Sequence, residues 1–170
     1  MIAIKNILVA TDFGEAADAA LGYGRELAGR FDSTLHVLTV AEDVFATAFG
    51  AETYTAVVPD LQHDVEHAAR KRLDEALIDS DGSGPRAIPV VTVSSSPAHA
   101  ILDYARDHEI DLIILGTHGR GAIQHFLMGS VAERVVRQAT CPVLTVRHPE
   151  REFVRPDTLC AVPAVAGGRS

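Results

Sequence analysis

Hydrophobic and polar positions along this chain follow two alternating periods. Five short runs are apolar almost throughout: residues 4–10 (IKNILVA), 35–40 (LHVLTV), 88–93 (IPVVTV), 111–115 (DLIIL) and 142–146 (PVLTV). Their length suits strands, and their continuous apolarity suits strands covered on both faces. Between them, apolar positions recur at helical spacing. Residues 15–31 carry Ala16, Ala19, Ala20, Tyr23, Leu27 and Phe31 in this way, and residues 60–78 carry Leu61, Val65, Ala68, Ala69, Arg72, Leu73, Ala76 and Leu77 as an amphipathic helix. Ala98, Ile101, Leu102 and Ala105 do the same in a segment running to about His108, as do Val131, Val135, Val136 and Ala139 in residues 130–139. Ser96-Pro97 has the form of an N-cap followed by proline in the first helical position, and Asp60 suits a cap. Strand and helix in strict alternation mean parallel βαβ units. The pattern predicts one α/β domain: a doubly wound, Rossmann-like, five-stranded parallel sheet with helices on both faces and strand order 3-2-1-4-5.

Two segments escape the alternation. Residues 42–59 form a long connection without a clear period, and residues 148–170 form a tail ending in AVPAVAGGRS. The expected division is a domain over residues 1–147 followed by that tail. Residues 80–85 (SDGSGP) are turn composition.

Composition narrows the function. A net charge of -8 over 170 residues argues against a broad nucleic-acid or anionic-membrane surface, though not against one anionic ligand in a local pocket. No window is apolar enough for a membrane span. Cys141 and Cys160 are the only cysteines and form no CxxC, and Asp12 interrupts the N-terminal run before it resembles a signal peptide. A reduced, cytoplasmic setting is expected.

The densest chemistry lies at residues 116–130, GTHGRGAIQHFLMGS. A glycine-rich loop between a strand and a helix brings backbone N–H groups and the positive end of a helix dipole to the carboxyl edge of the sheet, a fit for phosphate. No lysine follows as a P-loop requires, and Gly119-x-Gly121 lacks the third glycine of G-x-G-x-x-G. The pattern is Gly116-x2-Gly119-x9-Gly129-Ser130, with Ser130 placed to cap the last helix and offer its hydroxyl. Asp12 either caps the first helix or faces a ligand. His63 and His67 share a helix face without a marked third metal ligand, so a solvated face is expected. His118 and His125 lack a nucleophile–base–acid set, and Ser94-Ser95-Ser96 lacks a nucleophile elbow. Cys141 suits a small apolar packing role.

This glycine pattern resembles the nucleotide-binding motif of the universal stress protein family, in its ATP-binding branch. KNILVATDF, SPAHAIL and DLIILGTHGR fit the same family, and the resemblance spans residues 2–147. It implies that Asp12, with Thr11 beside it, meets the ribose or adenine edge, and that the Val40 backbone pairs with adenine. It implies that Gly116 lies near the ribose, and that Gly119, Gly129, Ser130 and the Val131 amide hold the phosphates, with His118 and Arg120 in reach. Gly14 departs from the small hydroxyl residue common there, and Gly121 from threonine. The resemblance further implies ATP as ligand, with Mg²⁺ bridging its phosphates, and a homodimer through the last strand, Pro142–Val146. The expected function is an ATP-binding, regulatory stress-response protein. No general base stands out, so hydrolysis is slow or absent. The alternatives are a nucleotidyl or phosphoryl transferase on a related fold, or a dimeric interaction module that does not depend on nucleotide.

Overall fold

The computed structural model describes residues 3–47, 58–78, 86–117 and 128–147. In chain order the elements are β1 (Asn6–Ala10), α1 (Glu15–Phe31), β2 (Thr34–Ala41), α2 (Val44–Thr47), α3 (Val58–Ala76), β3 (Ala87–Val93), α4 (Pro97–Asp107), β4 (Leu112–Gly116), α5 (Ser130–Gln138) and β5 (Val143–Val146). Every strand pairing is parallel, and the sheet order is β3-β2-β1-β4-β5, as the alternation predicted.

Adjacent residues of a strand face opposite sides, so the apolar runs feed two cores. Ile7, Val9, Leu35, Val37 and Ile114 point to one side, where Ala20, Leu21 and Ala28 of α1 and Leu73 of α3 meet them. Leu8, Leu38, Ile113 and Leu115 point to the other, against Ala98, Ile101 and Ala105 of α4 and Ala132 and Val135 of α5. Burying both faces explains why the strands read as unbroken apolar runs. Pro89 is tolerated because β3 lies at the sheet edge, where a missing N–H need not break a ladder.

Three local expectations are corrected. Residues 42–59 are not simply a loop, since α2 and the start of α3 lie within them. Asp60 stands inside the first turn of α3, which begins at Val58. Ser130 is the first residue of α5 rather than its cap: Gly129 takes the N-cap place, with extended backbone and its carbonyl accepting the Glu133 N–H at 2.9 Å. Ser96 does hold the N-cap position of α4, with Pro97 following, but its side chain makes no capping hydrogen bond; its backbone carbonyl accepts the Ala100 N–H at 3.1 Å. The turn at residues 80–85 and the tail at 148–170 lie outside the described residues.

Candidate functional site

The chain winds one way from β1 to β2 and β3, then returns to the other side of β1 as β4. The crevice at this reversal opens beyond the carboxyl ends of β1 and β4, the usual ligand position in open α/β sheets. Ala10 pairs with Leu115 and with Leu38, so Thr11 and Asp12 just beyond β1, Gly116 at the end of β4 and Val40 next to the end of β2 lie at neighbouring points of one edge. The Thr11 N–H donates to the Leu38 carbonyl at 2.9 Å. Alternate residues of a strand turn their backbone groups to the same side, so Val40 turns its N–H and C=O the way Leu38 does. There β1 has already ended, which leaves these groups facing the crevice.

A tight turn follows β1. Thr11 is buried, and its Oγ1 accepts the Phe13 N–H at 2.9 Å. Asp12 is exposed, and its Oδ1 accepts the Gly14 N–H at 3.1 Å. The N-cap of α1 is Gly14, so Asp12 is not the helix cap. A hydroxyl residue at position 14 would be a capping residue, which gives the departure at Gly14 a plain physical meaning.

On the other wall, the Gly129 N–H donates to the Thr117 carbonyl at 2.6 Å, and the Thr117 N–H donates to the Val146 carbonyl at 2.7 Å. The first bond fastens the start of α5 to the end of β4, and the second fastens that end to β5. The first also engages the Gly129 amide, so the donors left at this helix end are the first-turn amides of Ser130, Val131 and Ala132, which have no intrahelical acceptor. Gly116 has a structural reason of its own. A β-carbon there would lie 2.8 Å from the Ala16 carbonyl carbon, so glycine is what lets α1 sit against the end of β4. His118, Gly119 and Arg120 lie outside the described residues, as do Gly121 and His125.

Two contributors were not singled out from sequence. Gln62 is buried; its Oε1 accepts the Val44 N–H at 2.9 Å, and its Nε2 donates to the Glu42 carbonyl at 3.3 Å. It ties α3 to the chain just beyond Val40. Phe13 adopts φ 62°, with the Arg72 guanidinium carbon 4.3 Å from its ring centroid. A polar residue between apolar helix positions, as at Gln62, was the available signal. The conformation of Phe13 left none.

Lower on the sheet, the ring of His36, a buried residue of β2, has its Nδ1 2.8 Å from the Tyr104 Oη. His108 stacks on Tyr104 at 3.8 Å between centroids. Burial, and then the neighbouring His108, hold the His36 pKa below its ordinary value. Burial pushes the Tyr104 hydroxyl and the Cys141 thiol up. Among the described residues no group of three histidine, cysteine or acidic side chains is placed to hold a metal ion, and no helix is long and apolar enough to cross a membrane.

Comparison with known proteins gives one answer. The family profile described as "Universal stress protein family" matches residues 3–147. A putative universal stress protein of Staphylococcus aureus is 32% identical over 152 residues, covering 88% of each chain. A universal stress protein of Methanocaldococcus jannaschii is 28% identical over 148 residues, covering 87% of this chain and 85% of its own. Among solved structures, universal stress protein UspA from Lactobacillus plantarum superimposes with a TM-score of 0.70 at 30% identity, covering 86% of this chain and all of the other.

Proposed function

Because the chain belongs to the universal stress protein family, we propose that it is an ATP-binding member with a regulatory role in stress and slow or absent hydrolysis. The adenine would pair with the Val40 backbone, and Asp12 and Thr11 would meet the ribose or adenine edge. The phosphates would rest on the first-turn amides of α5 at Ser130 and Val131, with Gly119, His118 and Arg120 completing the loop. Gly116 and Gly129 would serve by allowing close approach. The observation that carries this reading is the convergence of three strand ends with one helix N-terminus, the latter tied to β4 by the Gly129–Thr117 bond. Mg²⁺ would serve as a counter-ion carried on phosphate oxygens and water, the way this ion is commonly held beside nucleotides.

Other universal stress proteins have been solved in complex with cAMP and with dAMP. At 20% and 18% identity they share the fold with this chain, and the case for a nucleotide here rests on its own residues. A homodimer through β5 belongs to the same proposal, and the position of that strand at the sheet edge favours it. The domain is taken to occupy residues 1–147, with 148–170 as an appendage, in a cytoplasmic protein.

The test is calorimetric titration of the purified protein with ATP, beside Ser130→Pro. Proline is accepted at the first position of a helix, and the extended Gly129 before it suits a following proline. The substitution removes one amide donor and one hydroxyl while sparing the fold. ATP affinity should fall about tenfold or more, at roughly 1.4 kcal/mol per factor of ten. Absence of binding to the parent protein at millimolar ATP overturns the nucleotide reading. Unchanged affinity in the variant overturns the phosphate assignment.

A further inference from the structure

On the nucleotide reading, on which this inference rests, the turn that carries Asp12 borders the nucleoside, and Phe13 is the next residue of that turn. Three residues other than glycine have positive φ among those described: Phe13 at 62°, Asp32 at 53° and Glu109 at 49°. Asp32 and Glu109 follow the ends of α1 and α4, where a left-handed residue commonly closes a helix. Phe13 instead precedes a helix. A bulky aromatic in this region is strained, and it persists only where the surroundings over-determine it. Those surroundings are visible. Thr11 Oγ1 accepts its N–H, and Asp12 Oδ1 accepts the N–H of the next residue, Gly14. The Phe13 ring packs on the core shared by α1 and α3, with the Arg72 guanidinium 4.3 Å above its centroid.

We infer that Arg72 is a positioning residue for the nucleoside: by holding the Phe13 ring it keeps the β1–α1 turn in its strained form and so fixes the Asp12 carboxylate at the crevice. Arg72 lies on an exposed position of α3, far along the chain from the motif, and is distinct from the phosphate-holding segment at α5. Its effect should therefore fall on the base-and-sugar half of the ligand and spare the phosphates. A cation over an aromatic face is a modest attraction at an exposed site, and a lysine ammonium can supply part of it.

Arg72→Ala and Arg72→Lys, compared with the parent, test this with two readouts. The first is amide hydrogen exchange at Phe13 and Gly14 in nucleotide-free protein. The second is affinity for ATP and for inorganic tripolyphosphate. Arg72→Ala should exchange both amides at least about threefold faster and weaken ATP about three- to tenfold, leaving tripolyphosphate within about twofold. Arg72→Lys should recover most of the loss. Unchanged exchange in Arg72→Ala overturns the lock, whatever the ligand result. Faster exchange with unchanged ATP affinity, or an equal loss for ATP and tripolyphosphate, overturns the positioning role. If the parent binds no ATP, the nucleotide reading falls and the nucleoside role with it, while exchange still decides whether Arg72 holds the turn.

Discussion

At Gly116 an added β-carbon would meet the Ala16 backbone at 2.8 Å and 3.0 Å, and at Gly24 it would overlap Val9 Cγ2 in the core. At Gly22 and Gly29 nothing lies within 4 Å, although all but Gly116 sit on α1. The contrast gives opposite signs to one chemical change. Gly116→Ala forces backbone against backbone and should destabilise by about 1–3 kcal/mol, as overpacking does. Gly22→Ala and Gly29→Ala, on exposed helical positions, should each stabilise by roughly 0.5–1 kcal/mol, because alanine loses less backbone entropy than glycine. Urea unfolding midpoints of the three variants measure both effects. A Gly116→Ala protein as stable as the parent would show that α1 does not need this approach. The sequence marked Gly116 for its place in a loop motif. Its packing partner Ala16 lies on another crossover, and no local pattern pairs the two. Phe13 was equally hidden, because an aromatic residue gives no sign of a left-handed backbone in its own type, and the contacts around it come from Thr11, the core and a distant Arg72.

Helix α4 is held to β2 by apolar packing and by one polar contact, Tyr104 to His36. Because the folded protein holds the His36 pKa below the ordinary 6.5, the unfolded chain binds a proton there first as pH falls. The stability linked to neutral His36 is therefore complete above about pH 6.5 and is lost progressively below it, toward the depressed folded value. Thermal melts from pH 7.5 down to 5 should fall more steeply for the parent than for His36→Gln, which has no proton to take up. Parallel curves would remove His36 from the acid response. Tyr104→Phe should cost about 1–2 kcal/mol at neutral pH by leaving a buried ring nitrogen without its partner. At this scale the sequence was most readable. The span of α1 follows from periodicity, and the start of α4 from the preference of proline for the first helical position. The errors lie at ends: β1 begins at Asn6 rather than Ile4, and Gly129 caps α5 in place of Ser130, since extended backbone before a helix needs no side-chain oxygen. α2 was missed because four residues are too few to display a period.

The whole sheet has two outer strands, and they are not equivalent. β3 carries Pro89, while β5 offers a short apolar edge. The backbone bonds show which residues of β5 face outward. The carbonyls of Pro142 and Val146 accept from Ile113 and Thr117 of the β4 side, at 3.0 Å and 2.7 Å. By alternation Leu144 also faces β4, so Val143 and Thr145 direct their N–H and C=O groups to the free edge. A second copy of the chain adding its own β5 would use those groups, in a two-fold arrangement where each copy offers the same patch. Thr145→Pro deletes an outward N–H and leaves every bond to β4 in place, a substitution that edge strands accept. Light scattering after gel filtration should then report a dimer for the parent and a monomer for Thr145→Pro, with far-UV circular dichroism unchanged. A parent that elutes as a monomer removes the dimer altogether. A variant that stays dimeric with its fold intact argues for an interface elsewhere, because a two-fold β5 ladder loses the Thr145 amide donor from both copies.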